Sequence, residues 1–265
     1  MSEFTSSMVE EMIVCERIIV RPMLTLQFYS DQTIHSGGFM THLLHLDASA
    51  RPGIAGTDLH GSLSRRLSQT FVAQWQATRP GDTLTYRDIG QRPPSFIDHD
   101  WIAAAFTPDA QRSASMKAAL KESDRLVEEL IEADILVIGS PLYNFSMPAA
   151  LKAWVDQVIR LGRTVAYDEH REPVPLLAER QRHAVILAAR GGTDMGPNEA
   201  MAHMNHLEAS MRSALNFIGI TRIHAVAIEG QEEGGEVLEN SINHAQRDVK
   251  ALVAKLQATL RASGE

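Results

Sequence analysis

Residues 135–162 read ILVIGSPLYNFSMPAALKAWVDQVIRLG. The first four residues are an unbroken apolar run, the pattern of a parallel strand buried on both faces. Pro148 then suits a first helical turn, because proline's missing N–H has no partner to lose there. Leu151, Trp154, Val158 and Leu161 follow at helical spacing along one face. A buried strand, a short loop and a helix make a strand–helix step of an α/β fold. Between them lies Leu142-Tyr143-Asn144-Phe145. Two aromatic rings there can flank a planar ring while Asn144 and the loop backbone hydrogen-bond its edge. The same residues also suit a turn whose aromatics cover the sheet end.

Working outward from this segment, the alternation repeats. Leu43–Leu46, Ala184–Ala188 and Ile223–Ile228 read as further buried strands, and Thr83–Ile89 as a more polar, alternating strand nearer an edge. Leu63, Leu67, Phe71 and Trp75 recur every four residues, and Met116, Leu120, Val127, Leu130 and Ile131 keep helical spacing on one face of a second helix. Two more helices are expected at 198–217 and 241–260. The expected architecture is α/β: a doubly wound, five-stranded parallel sheet with helices on both faces. Ligands of such sheets bind at the carboxyl ends of the strands. Residues 1–39 hold a short apolar patch and a polar tail ending in Gly37 and Gly38. They read as an N-terminal extension, disordered or introduced by an upstream start, ahead of a domain at 40–265.

Two other loops follow strands at the same edge. The first strand runs into DASARPGIAGTDLHGSLSRRLS (47–68), a glycine- and hydroxyl-rich loop entering a helix. Free backbone N–H groups at a helix N-terminus, with serine hydroxyls beside them, form a ready phosphate site. Ser62 acting only as a helix cap explains the same residues. The loop has neither G-x-G-x-x-G nor G-K-[ST], so a monophosphate suits it better than a pyrophosphate. The fourth strand ends at ARGG, where Gly191 and Gly192 let backbone N–H groups approach a ligand and Arg190 adds positive charge.

Bulk properties remove several classes of function. With 33 acidic against 25 basic residues and no long basic run, a polyanionic partner such as nucleic acid is disfavoured. The one cysteine, Cys15, rules out an internal disulfide and a cysteine-based metal site. No stretch approaches the roughly 18 consecutive apolar residues of a membrane span, and Glu3, Glu10 and Glu11 do not suit a signal peptide. A cytoplasmic protein is expected. His203 and His206 share a helix face but lack a third ligand, so no metal site is assigned. Met201, Met204, Leu207 and Met211 of that helix read as packing.

The run SPLYNFSMPAALKAWVDQVIRLG, then ARGG, then FIGITRIHAVAIEG, resembles the FMN-dependent NADH azoreductases, also described as NADH:quinone oxidoreductases. The resemblance covers nearly all of 40–265. It implies a flavodoxin-like fold and a homodimer with FMN near the subunit interface. It also implies ping-pong transfer of a hydride from NADH or NADPH to a quinone or azo acceptor. The FMN phosphate would fall to Ser49, Ser62, Leu63 and Ser64. The flavin would lie against Leu142, Tyr143, Asn144 and Phe145, and its edge would meet Ala189, Arg190, Gly191 and Gly192. The flavin itself carries the chemistry, with Tyr143 or water as a candidate proton source. Residues 49–62 are longer here than in the best-known members, and Ala189 replaces a frequent serine. Residues 162–177, GRTVAYDEHREPVPLL, occupy the place of a hairpin that walls the active site in relatives. They are less faithful, so divergence is expected in acceptor preference. Two rivals remain: a flavodoxin-type electron carrier, and a flavin-free binding or regulatory protein on the same fold.

Overall fold

The computed structural model describes residues 40–262; the expected extension at 1–39 lies outside them. In chain order the elements are β1 (His42–Asp47), α1 (Leu63–Thr78), β2 (Thr83–Asp88), α2 (His99–Phe106), α3 (Ala114–Glu132) and β3 (Ile135–Pro141). They continue as α4 (Ala149–Val158), β4 (Val165–Tyr167), β5 (Pro173–Pro175), β6 (His183–Ala189), α5 (His206–Ile218), β7 (Arg222–Ile228) and α6 (Gly235–Ala262). Five strands form one parallel sheet in the order β2-β1-β3-β6-β7, and β4 pairs with β5 as a separate antiparallel hairpin. The chain steps from β1 outward to β2 and then returns to the other side of β1. The switch point of the sheet therefore lies between β1 and β3.

Alternate residues of each strand feed opposite faces, as the two-residue period of a strand requires. Leu44, Leu46, Leu136, Ile138 and Ile186 pack under α3, α4 and α5 through Leu130, Trp154 and Leu215. Leu43, Ile135, Val137, Val185 and Leu187 pack under α1 and α6 through Phe71, Trp75, Val249 and Leu256. The expected sheet and its two helical layers are thus observed.

Three helical expectations need correction. α2 was not foreseen; its eight residues bury only Trp101, Ala104 and Ala105, too few to show a period, and Asp98 starts it by accepting from the Trp101 N–H at 2.8 Å. The helix expected at 198–217 begins only at His206. Asn205 caps it by accepting from the Leu207 N–H, and Gly219, at φ 103°, ends it in the left-handed region. His203 and Met204 lie in a single 3₁₀ turn, with Met201 just before it. His203 and His206 therefore share no helix face, and of the four packing residues only Leu207 and Met211 are buried. The last helix starts six residues before the expected Ser241, at Gly235.

At the amino-terminal edge, the rings of His183 and His224 stack 5.6 Å apart. Burial, reinforced by the neighbouring His224, Arg222 and Lys255, pushes the His183 imidazole down to about 4, and His224 is lowered as well. The unfolded chain takes up these protons near pH 6.5. Stability is therefore fully present above that value and is lost as pH falls toward about 4. His183 alone contributes a slope of up to about 1.4 kcal/mol per pH unit. His183→Leu is expected to shrink the difference in urea midpoint between about pH 7.5 and about pH 5. An unchanged difference would show that the imidazole carries none of it.

Candidate functional site

The three loops singled out in the sequence converge at the carboxyl edge around the switch point. In the first, Ser62 caps α1 by accepting from the Arg65 N–H at 3.3 Å, and its hydroxyl lies 3.0 Å from that of Ser64. The N–H groups of Leu63 and Ser64, in the open first turn, find no acceptor among the described residues. Ser49, Ser62 and Ser64 are all buried. The extra length before Ser62 does not separate these groups. The Ser62 N–H donates to the Gly53 carbonyl at 2.8 Å and the Ala55 N–H to the Ser62 carbonyl at 3.2 Å, so residues 54–61 leave and return as a closed excursion. Gly61 makes this closure possible: a Cβ there would lie 2.2 Å from the Ile54 carbonyl carbon.

The second loop is a tight reversal. Tyr143 and Ser146 exchange both backbone hydrogen bonds at 3.0 Å, and Asn144 and Phe145 sit at φ 45° and 69°. Two central residues at positive φ define a type I′ turn, usually built from asparagine and glycine. A phenylalanine held there is strained by about 1 kcal/mol or more, and such strain concentrates at functional sites. Three contacts fix the turn: Leu142 N–H to the Ala189 carbonyl at 2.8 Å, His206 N–H to the Phe145 carbonyl at 2.9 Å, and Ala50 N–H to the Tyr143 hydroxyl at 3.3 Å. Tyr143 and Phe145 are 37% and 46% exposed, so each residue keeps part of its surface open to solvent.

In the third loop the carbonyls of Arg190, Gly191 and Gly192 accept from Gln231, Glu232 and Gly230. The N–H groups of Gly191 and Gly192 find no acceptor among the described residues. Arg190 departs from expectation. Its guanidinium is buried and paired to Glu208 and Glu229, each at 2.5 Å. Burial opposes its charge, but the two carboxylates outweigh that and raise its pKa. The positive charge is spent inside the fold, and Arg190 offers the site only its backbone. Nothing near residue 190 in the chain signals this, because Glu208 and Glu229 lie 18 and 39 residues away.

The β4–β5 hairpin lies within residues 162–177, where a hairpin is expected. The segment after it, at Leu177, bonds to Ile218 at 3.0 Å, at the far end of α5 from His206 and the aromatic turn. At 1.5 Å per residue that root is about 18 Å away. Within one chain, the hairpin is rooted at the opposite end of the helical layer from the three loops. Among the described residues, no group of three or more His, Cys, Asp or Glu side chains is arranged to hold a metal.

A parallel sheet with this strand order, carrying an open helix start and an aromatic turn at its switch point, defines a flavodoxin-like protein. The sequence profile described as flavodoxin-like fold matches residues 41–253. FMN-dependent NADH:quinone oxidoreductase 2 of Colwellia psychrerythraea is 36% identical over 218 residues, covering 82% of this chain and all of the relative. FMN-dependent NAD(P)H:quinone oxidoreductase 1 of Pseudomonas aeruginosa is 42% identical over 195 residues, 72% of this chain and 91% of the relative. Among solved structures, an azoreductase from Bacillus anthracis superposes with a TM-score of 0.71 at 26% identity, over 82% of this chain and all of that one. The chain belongs to the flavodoxin-like family of FMN-dependent NADH:quinone oxidoreductases and azoreductases.

Removing Arg190 would leave Glu208 and Glu229 facing each other without their shared cation. Arg190→Met is expected to cost about 3 kcal/mol in chemical denaturation. A loss below about 0.5 kcal/mol, the scale of ordinary surface changes, would show that the pairing contributes little.

Proposed function

We propose that the chain is an FMN-dependent oxidoreductase that takes a hydride equivalent from NADH or NADPH and delivers it to a quinone or an aromatic azo compound. The observation that carries this reading is the strained Tyr143–Ser146 turn, which holds two exposed rings beside the unpaired N–H groups of Gly191 and Gly192. The donor set fits FMN. Two free N–H groups and the hydroxyls of Ser62 and Ser64 suit a monophosphate, with Ser49 on the loop beside them. Leu142, Tyr143, Asn144 and Phe145 offer a wall to the planar ring, and the backbone of Ala189, Arg190, Gly191 and Gly192 offers its edge.

Bound FMN would supply reversible hydride-transfer chemistry, which no side chain can provide. The protein's part is orientation and electrostatics. The N–H groups of Gly191 and Gly192 are fixed donors, positioned to favour negative charge without reorganising. Their peptides are held in place because the neighbouring carbonyls are bonded to residues 230–232. Tyr143 presents a hydroxyl at the rim, where it can pass a proton to an acceptor.

The reading extends to a homodimer in the cytoplasm. Phe96, Ile102 and Phe106 stand exposed on and beside α2, an apolar surface suited to a second copy. The remote root of the β4–β5 hairpin fits a wall supplied to the neighbouring subunit's site better than to its own. No helix among the described residues is long and apolar enough to cross a membrane.

The purified chain is expected to quench FMN fluorescence on binding and to turn over NADH or NADPH with menadione. A colourless chain that takes up no FMN would favour the flavin-free reading and end this one. FMN uptake without turnover, unless a separate reductase is added, would favour the electron carrier. Ser64→Ala is expected to weaken FMN by about 1 kcal/mol, roughly fivefold, with the fold intact. Unchanged affinity would remove Ser64 from the phosphate site.

A further inference from the structure

Arg65 follows Ser64 directly on α1, and its side chain is buried. Its guanidinium reaches back to the first loop: Nε donates to the Arg51 carbonyl at 2.7 Å and Nη2 to the Ser49 carbonyl at 2.8 Å. The remaining donors are anchored in the sheet. Nη1 bonds to Asp88 at 2.9 Å and to the Tyr86 hydroxyl at 3.2 Å, and Nη2 bonds to the other Asp88 oxygen at 2.5 Å. Asp47 stands 3.6 Å away and accepts from the hydroxyls of Tyr86 and Ser68. Burial opposes the charge, but Asp88 and Asp47 outweigh it, so Arg65 remains a cation.

The Ser49 carbonyl is confined from a second side by Gly90, where a Cβ would lie 2.0 Å from the carbonyl oxygen. A trans peptide points its C=O and N–H in opposite directions. Holding the Ser49 carbonyl inward therefore turns the Ala50 N–H outward, where it meets the Tyr143 hydroxyl. The Ala50 carbonyl is fixed in turn by the Gln91 side chain, whose backbone N–H bonds to Asp88. One guanidinium thus ties both sheet carboxylates to the loop that carries Ser49, and through Ala50 to the aromatic turn.

Resting on the FMN reading above, we propose that Arg65 is a positioning residue for the phosphate end of the site. It holds the Ser49–Arg51 segment beside the open start of α1, although a long excursion separates that segment from Ser62 in the chain. A residue that acts through the phosphate loop affects a phosphorylated flavin and spares one without phosphate. General loosening of the fold affects both.

The test measures FMN and riboflavin binding to the full chain by fluorescence quenching, for the parent, Arg65→Lys and Arg65→Met. The parent is expected to prefer FMN. Arg65→Met is expected to lose about tenfold in FMN affinity, the loss of one or two charge-assisted hydrogen bonds, with riboflavin affinity unchanged. Arg65→Lys, which keeps the charge but not the fork, should recover only part of the loss. Gly90→Ala presses on the same carbonyl without removing the charge, and is expected to reduce the FMN-to-riboflavin ratio too. Should Arg65→Met fail to fold, Arg65→Lys and Gly90→Ala decide the matter. Variants that keep the parental ratio, or lose both flavins equally, overturn the proposal alone. A parent that binds neither flavin overturns the FMN reading, and the proposal with it.

Discussion

Where β1 and β3 leave the sheet side by side, Asp47 stands in register with Gly139. A Cβ at residue 139 would lie 2.4 Å from the Asp47 carboxylate and 2.8 Å from the Ser68 hydroxyl. The central strands can run together only because that side chain is missing. This contact places Asp47, fully buried, at the top of the sheet, and the loops that follow inherit its position. Ala48 bonds back to the Gly139 carbonyl at 2.8 Å, so the first loop starts from a fixed point.

Above this point the site is assembled by two buried guanidinium groups. Arg65 gathers Asp88 and Asp47 with the carbonyls of the first loop, and Arg190 gathers Glu208 and Glu229 beneath the glycine loop. Buried ion pairs of this kind add little net stability, since desolvation offsets most of the attraction. Their contribution is geometric, because a planar fork with several donors fixes direction as well as distance. Both loops are therefore held from inside the protein, and the N–H groups of Leu63, Ser64, Gly191 and Gly192 find no acceptor among the described residues.

The sheet was legible because long apolar runs such as 135–138 and 184–188 sit between helices with strong four-residue spacing. The start of α1 was legible because a serine suits a helix cap, and Ser62 caps it. The start of α5 was not, because residues 198–204 carry apolar side chains at helical spacing while Asn205 takes the cap. The role of Arg190 was invisible for a different reason. A lone arginine beside two glycines looks like a ligand-binding charge until its carboxylate partners, on α5 and just beyond β7, are seen in space. The root of the hairpin likewise depends on where α5 ends, which no local pattern states.

The reversal at Tyr143–Ser146 separates two properties that a binding wall usually couples. Its direction is set mainly by backbone: a pair of cross-bonds, one bond to Ala189 and one to His206, with the Tyr143 hydroxyl adding a contact to Ala50. Its surface is set by whatever side chains positions 143 and 145 carry. The ring at position 145 can therefore be changed while the placement of the reversal against the sheet stays constant. That division separates the fit of an exposed surface from the packing of the core.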